Sequence, residues 1–288
     1  MEDGTIESNE VGLSKNPWDN PEKEVQDKHE PVNYSKIVGD NRLLILRDKH
    51  SNRRLKEHIS LHASDLKAAG ITHYAIEANV QGNRVFVRLN AGEDVYLGDV
   101  AVGPELPYRD VRKSYEEAIK AMAAVGIPVV AVDDQSQDDP EERERRMAEN
   151  LKSILEEDPD AKVAFLVGGL HGGKKDQVKG VDTLAKRMVD AEIPTVDVVL
   201  TGGEPSDSGV KDVITHAAKN VGLDDEEFML DMRPYAHLAG IPTPFNADLD
   251  YIIHVAQTPL VEEDKPSIFP TSKKISIPLL PTPLLGED

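Results

Sequence analysis

Residues 42–77 read RLLILRDKHSNRRLKEHISLHASDLKAAGITHYAIE, and this stretch decides the fold. Its opening, Arg42–Arg47, is a short apolar run bounded by charge, which predicts a buried strand. Leu55, Ile59, Ala63 and Leu66 then recur at helical spacing, and Gly70 is placed to stop the helix. Thr72–Glu77 (THYAIE) reads as a second short strand.

Outward from this unit the alternation continues. Gln81–Leu97 alternates in polarity around a turn at Asn90-Ala91-Gly92, which predicts a hairpin insertion. Asp110–Ala124 reads as a helix ending at Gly126, and Pro128–Asp133 (PVVAVD) as the third strand. Glu141–Glu157 is a charged helix, and Lys162–Val167 (KVAFLV) a fourth strand. Val181–Ala191 is a helix before the strand Thr195–Leu200, and Ser208–Asn220 is helical. Asp250–Ala256 (DYIIHVA) closes the series as a strand. Strands alternating with helices specify an α/β fold with a mostly parallel central sheet and helices on both faces.

The body is placed at 36–260. Residues 1–35 are rich in Asn, Asp, Glu, Pro and Lys, with few aliphatics, and read as a flexible acidic arm. Residues 261–288 form a proline-rich strap, with Pro266, Pro270, Pro278, Pro281 and Pro283 excluding long regular structure. That strap also carries Ile268, Phe269, Ile275, Ile277, Leu279, Leu280, Leu284 and Leu285. It is expected to lie on the body or to dock on another chain, as in a homo-oligomer.

Charge and cysteine content narrow the function classes. The 288 residues include 53 acids and 33 bases, for a net charge of -20. A duplex carries one negative charge per ~1.7 Å of axis, so general binding to nucleic acid or an anionic membrane is disfavoured. No apolar run approaches the ~18 residues of a membrane span, and the start Met1-Glu2-Asp3-Gly4 lacks a signal-peptide layout. With no cysteine there is no disulfide, thiolate metal site or cysteine nucleophile. A cytoplasmic setting and a small-molecule or peptide substrate are expected.

In parallel sheets, ligands bind beyond the carboxyl ends of the strands. Strand one ends in Arg47-Asp48-Lys49-His50, strand two in Glu77, strand three in Asp133-Asp134 and strand four in Gly168-Gly169-Leu170-His171-Gly172-Gly173. Two imidazoles and several carboxylates should therefore converge at one edge. Neutral imidazole and carboxylate are the ligand set for Zn, Mn, Fe or Co. Asp48, His50, Glu77 and His171 are the candidate ligands, with an open position for a water of lowered pKa.

These residues resemble the Tiki, ChaN and erythromycin-esterase superfamily. Asp48-Lys49-His50, a helix and then Ile76-Glu77 match its opening of Gly-Glu-x-His followed by a strand ending in Glu. The run from Pro140 through Arg143, Arg145, Arg146, Met147 and Ala148 to Asn150 is similar to its arginine-rich helix. Gly168-Gly169-Leu170-His171 is similar to its Gly-x-x-His strand end, and Asp250–Val255 to its closing strand. The order of the four motifs, over about residues 36–260, carries the resemblance. It implies an EreA/ChaN-like α/β fold and either a hydrolase (a peptidase or an esterase) or a non-enzymatic binder of haem or a peptide. For the hydrolase, Asp48, His50, Glu77 and His171 would bind a metal or activate water directly. Arg143, or Arg146 a turn later, would stabilise an oxyanion or a substrate carboxylate, and Asp133 would orient a histidine. Arg47 and Asp48 replace the usual Gly and Glu, which shortens the carboxylate arm and adds a guanidinium beside it.

Competing motifs are weaker. Gly168–Lys175 nearly spells a phosphate loop, but Lys175 stands where Mg²⁺ needs a hydroxyl. His58 and His62 are spaced i, i+4, yet Ile59 replaces the glutamate of H-E-x-x-H, which leaves a solvated or capping role. Glu204 is a candidate late addition to the site, His254 a buried strand histidine with a local partner, and His216 a helix-face residue. No G-x-S-x-G elbow is present.

Overall fold

A computed structural model describes residues 19–98, 109–136, 139–174, 177–178, 180–202, 210–238 and 249–257. The elements in the first half are α1 (Pro21–Lys28), α2 (Tyr34–Val38), β1 (Leu43–Asp48), α3 (Arg53–Leu61), α4 (Ala63–Ala68), β2 (His73–Asn79), α5 (Asn83–Asn90), α6 (Arg109–Ala124) and β3 (Val129–Asp133). There follow α7 (Pro140–Glu157), β4 (Val163–Gly168), β5 (Gln177–Val178), β6 (Val181–Asp182), α8 (Leu184–Asp190), β7 (Thr195–Gly202), α9 (Val210–Asn220), β8 (Phe228–Asp231) and β9 (Tyr251–Val255). Seven strands make one sheet in the order β3-β2-β4-β1-β7-β9-β8, and β5 with β6 makes a small antiparallel ribbon. Every pairing in the large sheet is parallel except that of β8 with β9. The mostly parallel α/β architecture expected from the alternation is the one observed.

Strands β1, β4 and β7 are buried along their whole length, which is why they read as continuous apolar runs. Successive side chains take opposite faces. Leu44 and Leu46 pack with Leu55, Ile59 and Leu66 of α3 and α4, whereas Leu43 and Ile45 pack with Met147 and Leu151 of α7 and Met188 of α8. A third cluster joins Val25 of α1, Ile214 of α9 and Phe228 of β8.

The sequence reading fails at particular places. Gln81–Leu97 is not a hairpin: Asn83–Asn90 is helical and turns Phe86 and Leu89 inward. Its two asparagines, one at each end, explain the choice. Asn83 exchanges two hydrogen bonds with the backbone of Ala131 (2.8 and 3.0 Å), and Asn90 two with Val129 (both 2.9 Å). The side-chain amides thus stand in for a neighbouring strand along the outer edge of β3. Residues 19–35 do not form a loose arm, because α1 is capped by Asn20 and buries Val25 against α9 and β8. Strand β8 was not foreseen, and its outer edge pairs through Met229 with Glu30 (3.0 and 2.7 Å). The helix expected from Val181 begins at Leu184. Residues 1–18 and the 261–288 strap lie outside the described residues. No described helix is long and apolar enough to cross a membrane.

Candidate functional site

Register explains how distant residues meet. Strand β4 lies between β1 and β2, with Asp48 paired to Gly168 across β1 and β4. Adjacent strands are about 4.8 Å apart, so β1 and β2 are separated by roughly 10 Å. His50, just beyond β1, and Glu77, near the end of β2, bridge that gap over the end of β4. They can do so because residue 168 is glycine: a Cβ there would stand 2.6 Å from His50 Nε2.

The four residues 48, 50, 77 and 171 occupy one pocket as a line of alternating acids and bases. His50 Nδ1 lies 3.3 Å from Asp48 Oδ1, and its Nε2 3.2 Å from Glu77 Oε2. The other oxygen of Glu77 lies 3.3 Å from His171 Nε2, and His171 Nδ1 is bonded to Glu144. Glu77 also accepts from the Gly168 N–H (2.9 Å) and from Arg143 Nη2 (2.8 Å). Lys56, fully buried on α3, pairs with Asp48 and donates to the carbonyls of Lys49 and His50 (both 3.0 Å). Four carboxylates, of Asp48, Glu77, Asp133 and Glu144, thus meet four basic groups, of Lys56, His50, Arg143 and His171. Such pairing is what makes buried charge tolerable.

These contacts set the protonation states. Hydrogen bonding to Asp48 and then Glu77 raises His50 to about 10. Burial lowers His171, but Glu144 and Glu77 outweigh it and bring it up to about 9. For Glu77, burial acts upward and the two imidazoles act downward; the imidazoles win and hold it well below the ordinary carboxyl range. Asp48 is likewise pushed up by burial and brought below its ordinary value by the Lys56 charge and His50. His50 is the open end of the line, with 43% of its side chain exposed against 12% for His171.

Several expected roles change. Asp133 does not orient a histidine; it takes two hydrogen bonds from Arg143 (2.9 and 2.7 Å) and so fixes the guanidinium against Glu77. Arg146 is not part of the pocket, being bound to Asp134 and Glu142 (2.7 and 2.8 Å). Arg47 is not an added charge beside Asp48. Its side chain lies on the opposite sheet face, in a two-bond pair with buried Asp197 of β7. Asp197 also takes the Gly173 N–H (3.1 Å), which ties down the loop carrying His171. The phosphate-loop resemblance gains nothing from the described residues: Lys174 pairs with Asp250 (2.6 Å), and the next helix starts only at Leu184. Glu204 lies outside the described residues. His254 is buried and stacked on Phe228, and His216 is exposed on α9.

The donors of this pocket do not converge on one metal ion. Asp48, His50, Glu77 and His171 are strung in a line, each facing nitrogen meeting a different carboxylate oxygen. Among the described residues, three His, Asp or Glu ligand atoms within 4.8 Å of one another occur only at His58, His62 and Glu227.

Lys56, Glu144 and Asp197 were missed as partners, yet each left a signal. Lys56 sits beside Leu55 and three residues before Ile59, on the apolar face of α3. Glu144 precedes Met147 and Ala148 on the buried face of α7, and Asp197 interrupts the apolar strand TVDVVL. A charge on a buried face needs a partner.

No family model matches this chain, and no curated protein does. Among solved structures it is similar to a succinoglycan biosynthesis protein, with a TM-score of 0.60 and 10% identity over 83% of this chain and 97% of that one. A protein from Bacillus cereus is similar at 0.56 and 10%, over 84% and 98% of the two chains. ChaN of Campylobacter jejuni, known from a structure with cofacial haem, is matched at 0.40 and 13%, over 74% and 87%. At these identities the first two likenesses are of fold alone, and the third is too distant to bring its haem across.

Proposed function

We propose that this chain hydrolyses an acyl bond, an amide or an ester, with water activated by a histidine–carboxylate line. The observation that carries the reading is Glu77 set between the Nε2 atoms of His50 and His171. Each far nitrogen is fixed by its own carboxylate, Asp48 or Glu144.

The two imidazoles divide the labour by position. Both are raised above their ordinary value, and His171 is the inner ring while His50 is the exposed one. Neutral His171 takes a proton from the attacking water, and the hydroxide adds to the acyl carbon. Exposed His50 gives its proton to the departing amine or alkoxide as the acyl bond breaks. The cycle closes by exchange with solvent, His171 losing the proton it took and exposed His50 regaining one, while Glu77 stays charged and holds both rings in place. Arg143 uses Nε and Nη2 on Asp133 and Glu77, leaving its Nη1 edge for the developing oxyanion.

The test is turnover of a panel of p-nitrophenyl esters and chromogenic peptide amides by the full chain and by Glu77→Gln. Wild type should turn over one class, resist chelators, and lose about 10²–10⁴-fold in the variant. Equal rates in the two proteins would overturn the reading.

A further inference from the structure

We propose that His58, His62 and Glu227 form a second site, separate from the acyl-transfer pocket, that binds one divalent cation of the zinc class. His58 lies on α3 and His62 is the residue that ends it, four positions on, with their rings 4.4 Å apart and tilted by 48°. Glu227, from the residue just before β8, reaches both: Oε1 lies 3.0 Å from His58 Nδ1 and Oε2 2.8 Å from His62 Nε2. Zinc holds such ligands at about 2.0–2.1 Å, which sets them roughly 3–3.5 Å from one another. One ligand atom from each residue lies within 4.8 Å of the other two, so side-chain shifts without backbone rearrangement would bring them to that spacing.

What distinguishes this cluster from the His50–Glu77–His171 line is convergence, since one ligand atom from each of its three residues lies within 4.8 Å of the others; the remaining nitrogens are also held. A metal-bound histidine commonly has its second nitrogen held by a polar partner, which fixes the ring. His58 Nε2 is held by the Tyr34 hydroxyl at 2.8 Å, and His62 Nδ1 by Asp65 at 2.6 Å. Both rings thus present their other nitrogen to the same carboxylate. His58 is buried, while His62 and Glu227 keep 19% and 12% of their side chains exposed, which leaves a route in for the ion. Two imidazoles and one carboxylate, with no thiolate, suit zinc or cobalt above magnesium or calcium. An ion there would bind the α3–α4 corner to β8, the edge strand that pairs antiparallel.

The experiment is a zinc titration of the chelator-stripped full chain, read by bound metal and by thermal unfolding, with cobalt(II) as a spectroscopic probe. One equivalent should bind and raise the unfolding midpoint, cobalt should give visible d–d bands, and the ring signals of His58 and His62 should shift. His62→Gln and Glu227→Gln should abolish the bound equivalent, Tyr34→Phe should weaken it about 10–100-fold, and His50→Gln should leave it intact. If wild type binds no zinc, the proposal fails. It also fails if the equivalent survives in both ligand variants, or if it is lost in His50→Gln and kept in His62→Gln. Should the ligand variants not fold, wild-type ring signals left unmoved by zinc would overturn it equally.

Discussion

Gly168 donates its backbone N–H to Glu77 Oε2 at 2.9 Å, and in the same position leaves room for the His50 ring to meet that oxygen from above. The first prediction follows from this. Residue 168 does not need a positive φ, so alanine suits its backbone. The atoms nearest the added methyl belong to side chains, His50 Nε2 at 2.6 Å and Glu77 Oε2 at 3.4 Å. Gly168→Ala should leave the fold intact but swing His50 off Glu77. Hydrolytic rate should fall at least tenfold while the circular dichroism spectrum stays the same; an unchanged rate would show that the His50–Glu77 contact is idle.

The Arg47–Asp197 pair is a structural bond between neighbouring strands. Both side chains are buried, and Asp197 also anchors the loop after His171 through Gly173. Removing one partner of such a pair leaves an uncompensated charge. Asp197→Ala should cost about 3–5 kcal/mol in urea unfolding. Replacing both partners with apolar residues of similar volume should cost much less, and equal losses in the single and double variants would contradict this account.

Stability and activity should respond to pH in opposite senses. His50 and His171 are raised above 6.5, so their contribution to stability is complete below about 6.5 and is lost as pH rises through about 9 to about 10. Glu77 and Asp48 are lowered from 4.5 and 3.8, so theirs is complete above those values and lost on acidification. The cluster should therefore stabilise the fold most between roughly pH 4.5 and 6.5. Hydrolysis needs neutral His171 and charged His50, so its rate should rise above neutral pH as His171 gives up its proton and fall again once His50 does. Ring-proton titration by NMR would check both groups, and Glu77→Gln should bring both back toward 6.5.

Glu144 offers a way to reach His171 alone. One oxygen is bonded to the His171 ring, and the other accepts the Leu184 N–H at 2.8 Å, at the start of α8. Glu144→Gln should keep that helix-start bond while lowering the pKa of His171 and sparing that of His50. Glu144→Ala should lose the helix-start bond as well, at about 0.5–2 kcal/mol. A matching drop in His50 would mean that the two rings are not independently held.

How much of this was legible in the sequence depends on what kind of interaction holds each part. Strands β1, β4 and β7 announced themselves because burial on both faces demands unbroken apolar runs. The strand ends at 48, 50, 77 and 171 were legible because a parallel sheet collects its carboxyl ends at one edge. Helix α5 was not, since Val85, Phe86 and Val87 favour strands locally and the amide bonds of Asn83 and Asn90 to β3 decide otherwise. Roles within the pocket were read too simply for a related reason. Arg143 and Arg146 sit on one helix, and only the position of Asp133 on β3 selects the first for Glu77. Glu227 lies far along the chain from His58 and His62, so helical spacing alone could not supply the missing carboxylate.

The asparagine amides along β3 and the Glu30 bridge along β8 together close off both ends of the large sheet. A sheet whose last strands already have partners offers no template on which another polypeptide can continue the ladder. Strand addition is thereby blocked where Val129, Ala131 and Met229 already have partners.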